Sequence, residues 1–156
     1  MATNSMAPTT QVGDFFMLAT KYHRPGEFTR GEIITFYHQN LRLVIFKRLI
    51  AVSGDTVKGR GTAIYVNGEK IDEPYSQYID NPEPSNDYNR RHTVNDFEPI
   101  VVPAGKLFVL GDNRNYSFDS RDPEFGFIDI ADGYPTYKPL YIYWSRDKSR
   151  IGKRIE

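Results

Sequence analysis

Glycine-bearing turn signals recur along this chain at intervals too short for long helices. Pro25-Gly26, Arg30-Gly31, Ser53-Gly54-Asp55, Asn67-Gly68 and Ala104-Gly105 each contain a residue that tolerates positive φ without steric cost. Between and beyond them lie strand-like runs at 14–19, 32–37, 41–52, 63–66, 99–102, 106–110 and 140–144. Helical periodicity is almost missing, so the pattern predicts an all-β, antiparallel domain. Asn67-Gly68, between Ile64-Tyr65-Val66 and Glu69-Lys70-Ile71, is the strongest hairpin signal, because both turn residues accept positive φ. Residues 72–96, crowded with Pro, Asn, Asp, Ser and Tyr, predict a long surface excursion. The expected organisation is a main β domain over 1–57 and 99–156, with a smaller hairpin-and-loop insertion over 58–98.

A chain of 156 residues is long enough to close one hydrophobic core. Its 20 basic residues balance 20 acidic ones, which removes the usual electrostatic case for a nucleic-acid partner. The absence of cysteine excludes a disulfide framework, a thiol nucleophile and a thiolate metal site. His23, His38 and His92 are widely separated in polar contexts, so no metal centre is expected. No stretch approaches the ~18 consecutive apolar residues of a membrane-spanning helix.

One charge interrupts the most apolar run. In an extended chain Leu43, Ile45, Lys47, Leu49 and Ala51 share a face, and Val44, Phe46, Arg48, Ile50 and Val52 share the other. Lys47 is therefore the only charge on an aliphatic row. Burial disfavours an ammonium ion and lowers its pKa, which turns a lysine into a general base. The competing reading is an edge-strand lysine whose stem covers apolar surface while its amine reaches water. Arg48 is unsuited to proton abstraction because a guanidinium stays protonated.

Two further segments carry reactive groups. Ser5-Met6-Ala7-Pro8-Thr9 reads either as a frayed terminus or as a turn presenting a hydroxyl, with Pro8 disfavouring helical geometry at Ala7. A serine needs a proton acceptor to attack at neutral pH, and an amine of depressed pKa supplies one. After the apolar run Leu107-Phe108-Val109-Leu110, residues 111–121 crowd Gly111, Asp112, Arg114, Ser117, Asp119 and Arg121 together. This is either an Asx-rich surface loop or a buried polar network whose members satisfy one another.

Together these segments resemble the type I signal peptidases, membrane-anchored serine/lysine endopeptidases that remove leaders from exported proteins. Ser5-Met6-Ala7-Pro8-Thr9 matches the nucleophile box Ser-Met-x-Pro-Thr. Arg30-Gly31-Glu32 resembles the Arg-Gly-Asp strand, the segment from Phe46 to Asp55 the lysine box, and Gly111-Asp112-Asn113-Arg114 with Ser117 and Asp119-Ser120-Arg121 the closing box. The four boxes span Thr3 to about Phe127 in the family's order. Ser53 stands in place of the usual proline, Glu32 of aspartate and Tyr116 of asparagine, and none of these changes removes a reacting group.

The resemblance implies a signal-peptidase-like antiparallel β fold with a smaller inserted region. It implies Ser5 as nucleophile, Lys47 as general base, and an oxyanion hole from the Ser5 N–H and the Thr3 hydroxyl. Ser117 would hold the lysine by a hydrogen bond, with Asp119 and Arg121 as a supporting pair, and no cofactor or metal is needed. Substrates would be signal-peptide-bearing preproteins with small residues before the cut, lying against strand edges near 14–19 and 41–52. The implied location is the outer face of the cytoplasmic membrane, in contact with lipid. The chain is accordingly expected to be a soluble fragment lacking an anchor ahead of Thr3. Nothing in the resemblance fixes an oligomeric state. Alternatives are a specialised processing protease of the same fold or a non-catalytic peptide-binding homologue.

Overall fold

The computed structural model describes residues 4–22, 29–38, 41–78, 95–129 and 137–156, of which 20–22 as backbone only. Among the described residues it is an antiparallel all-β structure of ten strands. Six form one sheet in the order β1 (Phe15–Tyr22), β10 (Tyr137–Trp144), β2 (Ile33–His38), β3 (Leu43–Val52), β8 (Lys106–Leu110) and β9 (Ile128–Asp129). The other four form a smaller sheet in the order β6 (Glu69–Lys70), β5 (Ala63–Val66), β4 (Thr56–Arg60) and β7 (Phe97–Val101).

The expected hairpin joins β5 to β6. Asn67 and Gly68 have φ of 54° and 85°, the double positive φ that matches a two-residue turn to strand twist. Strand β4 was not expected, because Thr56-Val57-Lys58-Gly59-Arg60 offers one aliphatic residue among charges and glycine. It forms because β5 and β7 pair with it on both edges. The excursion at 72–96 is described only at 72–78 and 95–96, and the remainder of it lies outside the described residues.

Strand β8 explains how the two sheets join. Leu107 and Val109 enter a core with Ile34, Phe36, Leu49, Phe125 and Ile128, whereas Phe108 and Leu110 enter a second core with Ile50, Val57, Ile64 and Val66. A strand buried on both faces reads as a continuous apolar run, as Leu107-Phe108-Val109-Leu110 does. A third cluster, Met6, Ile33, Ile142 and Ile155, fastens the N-terminal segment to the large sheet.

The strict alternation expected along 43–52 is corrected. The β3–β8 register shifts between Leu49 and Ala51, so Ala51 joins the core of Ile50 while Val52 packs with Leu49. An extra residue in one strand bends it and exchanges its faces. The exchange lets one strand feed both cores. Strand β3 pairs with β2 from Leu43 to Arg48 and with β8 from Arg48 to Val52. Lys47 therefore stands one residue before the second neighbour begins.

Candidate active site

A short 3-10 turn, Asn4–Met6, carries Ser5. Met6, fully buried in the third cluster, anchors it, and Asn113 fixes its main chain from the other side. The Asn113 N–H donates to Ser5 O at 3.1 Å and its side-chain amide to Asn4 O at 3.1 Å. A second clamp holds the following residues: Arg150 donates to Thr9 O at 3.0 Å and, through two nitrogens, to the buried Asp14 carboxylate. The segment is thus an ordered turn, not a frayed end.

Lys47 Nζ donates to Ser5 Oγ at 2.7 Å. The lysine is 4% exposed and the serine 5%. The edge-strand reading is excluded, since the amine does not reach bulk water. Burial drives the Lys47 pKa down from 10.5 to about 8; the Asp119 carboxylate opposes this, the Arg121 cation adds to it, and Asp112 opposes it. Desolvation prevails because Asp119 is already engaged by Arg121.

That engagement is bidentate. Arg121 Nε and a terminal nitrogen donate to Asp119 at 2.8 and 2.9 Å, and the Gly111 N–H adds a third bond at 3.0 Å. Burial pushes the Asp119 carboxyl up, but the Arg121 charge and these hydrogen bonds outweigh it and hold it below the usual carboxylate value. Both side chains are almost fully buried. The buried-network reading of residues 111–121 is the one the structure adopts.

One expected contact differs, and one expected residue is not described. Thr3 lies outside the described residues. Ser117 is fully buried beside the site, yet among the described residues its Oγ has no hydrogen-bond partner, so the expected bond to Lys47 is not made. The amine is directed at Ser5 instead, and the Ser117 hydroxyl lies against the bare Cα of Gly111. A Cβ at Gly111 would sit 2.2 Å from Ser117 Oγ and 2.4 Å from Ser5 O. Glycine is required there because the Ser5 backbone and the Ser117 hydroxyl share the space a side chain would need.

Three participants were not legible as such in the sequence. Arg48, set aside as a base, donates to Asp112 at 2.9 and 2.6 Å, with both side chains buried. Glu73, from the start of the excursion, accepts from the buried Arg114 at 2.5 and 3.1 Å. The Tyr75 ring lies 3.7 Å from the Arg48 guanidinium carbon. The apolar position of Arg48 and the charge density of 111–121 were the available signals, and neither names a partner.

A groove of about 510 Å3 is lined by residues of β1 and β3, among them Phe15, Phe16, Leu18, Val44, Ile45 and Phe46, with Thr35 of β2. Since β8 pairs with β3 only from Arg48 onward, the β3 edge along this groove is not covered by β8. Among the described residues no cluster of three or more metal-ligating side chains occurs, and no helix is long and apolar enough to cross a membrane.

Comparison with known proteins places the chain in a family. The family model described as signal peptidase, peptidase S26, matches residues 1–136. Signal peptidase I of Bacillus licheniformis is 38% identical over 125 residues, 80% of this chain and 65% of that protein. Signal peptidase I S of Bacillus subtilis (strain 168) is 39% identical over 121 residues, 76% of this chain and 62% of that protein. The chain thus spans slightly under two thirds of these relatives. A crystal structure of a signal peptidase I from Enterococcus faecalis V583 is 32% identical with a TM-score of 0.49, covering 67% of this chain and 92% of that one.

Proposed function

Because the chain belongs to the signal peptidase family, peptidase S26, we propose that it is a serine endopeptidase that removes N-terminal signal peptides from exported preproteins through a Ser5/Lys47 dyad. The observation that carries this reading is the 2.7 Å bond from a buried amine to a buried serine hydroxyl. A lysine with a pKa of about 8 is partly neutral near neutral pH, and its free lone pair accepts the Ser5 proton as Oγ attacks the scissile carbonyl. The ammonium so formed protonates the leaving amine. Lys47 then activates the water that breaks the acyl-enzyme. The Ser5 N–H and the Thr3 hydroxyl are assigned to the oxyanion. Ser117 is assigned to orienting the amine once it has released Ser5, a reading supported by its buried hydroxyl, which has no other partner among the described residues.

The groove lined by β1 and β3 accepts an extended peptide as an added strand, with apolar side chains on either side reading small residues. Next to it, Phe15, Met17, Tyr141, Tyr143 and Trp144 are each 40–52% exposed, and Phe15 meets the Tyr143 and Trp144 rings edge-on. We assign this face to the lipid surface from which leaders emerge at the outer side of the cytoplasmic membrane, since amphipathic aromatic rings favour the headgroup region. Trp144→Ala with Phe15→Ala is expected to reduce co-sedimentation with phospholipid vesicles several-fold. Equal sedimentation of variant and parent would end that assignment.

The decisive experiment is cleavage of a leader-bearing precursor, with the cut site read by mass spectrometry. Ser5→Ala and Lys47→Ala are expected to lose turnover by at least ~10³-fold while remaining folded, and Thr3→Ala and Ser117→Ala to lose a smaller part of it. The rate should rise with pH through about 8, because the ammonium form of Lys47 cannot accept a proton. Persistent cleavage by Ser5→Ala rejects the dyad. Binding of precursor without turnover by the parent identifies a peptide-binding homologue instead.

A further inference from the structure

We infer that the segment following β6, residues 73–77, is a strap whose Glu73 and Tyr75 act as positioning residues for the Ser5/Lys47 pair. This inference rests on the dyad reading above and adds residues that lie outside the four boxes. The strap reaches the site by three independent attachments. Glu73 is 6% exposed at its side chain and bridges both terminal nitrogens of Arg114, whose side chain is fully buried. Tyr75 lays its ring against the guanidinium of Arg48, the residue next to Lys47. Gln77 runs parallel to Asn113, its N–H donating to Asp112 O at 2.8 Å and its carbonyl accepting from Arg114 N at 2.9 Å.

Each attachment ends on a group that holds the reacting atoms. Arg114 Nε donates to Gly111 O at 2.9 Å, and Gly111 is where the Ser5 backbone and Ser117 pack together. Asn113, held on one side by Gln77, holds Ser5 O and Asn4 O on the other. Asp112, paired with Arg48, also accepts from Thr9 at 2.5 Å. The loop 111–114 is therefore clamped between the strap and the nucleophile turn. Arg114 also explains why a carboxylate is needed in the strap. A guanidinium this deeply buried costs several kcal/mol unless an anion faces it, and Glu73 supplies the opposing charge that keeps its pKa raised against the effect of burial.

The consequence is kinetic. Substrate binds at the β1/β3 groove, away from the strap, whereas the strap governs how closely Ser5 Oγ is held to Lys47 and to the oxyanion donors. Small displacements at that point act on the chemical step more than on binding.

The test is steady-state cleavage of a leader-bearing precursor by Glu73→Gln, Glu73→Asp and Tyr75→Ala, with Ser5→Ala alongside, well below each variant's Tm and with folding checked by near-ultraviolet circular dichroism. Glu73→Gln is expected to lower kcat ten-fold or more with KM within two-fold of the parent. Glu73→Asp should recover part of the loss by restoring the charge, and Tyr75→Ala should lower kcat in the same sense. A folded Glu73→Gln with kcat within two-fold of the parent overturns the inference, as does a loss that only tracks the unfolded fraction or that Glu73→Asp fails to recover. If Ser5→Ala itself still cleaves, the failure belongs to the dyad reading and not to the strap.

Discussion

Lys47→Met is expected to abolish cleavage and at the same time to stabilise the fold at pH 7. The buried amine is held at a pKa of about 8 against 10.5, a displacement equivalent to roughly 3 kcal/mol. Its direction fixes the sign. Between these two values the unfolded chain carries a proton on Lys47 that the folded chain has given up, so stability increases with pH across that interval. Below about 8 both states are protonated and the folded state bears the whole cost of a buried ammonium. A thioether of similar length removes that cost, and replacing buried charge by apolar volume is often stabilising. Urea denaturation at pH 6.5 should show Lys47→Met more stable than the parent by about 1–3 kcal/mol, with the advantage shrinking as pH rises from 8 toward 10.5. A variant less stable than the parent at pH 6.5, or an advantage independent of pH, contradicts a desolvated base. The result would also identify the site as one whose activity is maintained at the expense of stability.

Asp112→Asn acts in the opposite direction. The asparagine keeps the shape of a carboxylate that accepts from Arg48 twice and from Thr9 once, but it leaves a fully buried guanidinium without its counter-charge. Breaking one side of such a pair costs about 3–5 kcal/mol. The exposed Arg60–Glu98 pair is the internal control, since Glu98→Gln should change stability by less than ~1 kcal/mol. Substituting Arg48→Met together with Asp112→Leu should recover much of the stability, because the isolated charge disappears with its partner. Asp112 also favours the protonated form of Lys47, so whatever activity Asp112→Asn retains should begin to rise at a lower pH than in the parent. Equal denaturation midpoints for Asp112→Asn and the parent would show that the pair contributes no net stability.

The all-β class, the Asn67-Gly68 hairpin and most strands were legible because each rests on local chemistry: residues that accept positive φ, and runs that alternate with period two. Strand β4 escaped for the same reason, since its five residues carry little local signal and its neighbours create it. The bulge between Leu49 and Ala51 escaped because alternation has no means of announcing the residue at which it fails. Lys47 could be singled out as a charge in an aliphatic row, yet that row was equally compatible with an amine in water.

What the chain determined unaided was the inventory: a hydroxyl held near a proline, an amine amid aliphatics, a dense polar stretch after an apolar strand, and the order in which they occur. Only the tertiary structure decided which of these meet. Ser5 and Lys47 are separated by 42 positions, Glu73 and Arg114 by 41, and Arg48 and Asp112 by 64. Periodicity reaches a few residues along a strand, whereas the exclusion of water and the choice of counter-charge depend on strands that arrive from distant parts of the sequence. The basicity of Lys47 is therefore a property of the packed sheets around it, and the strand alone carries only its possibility.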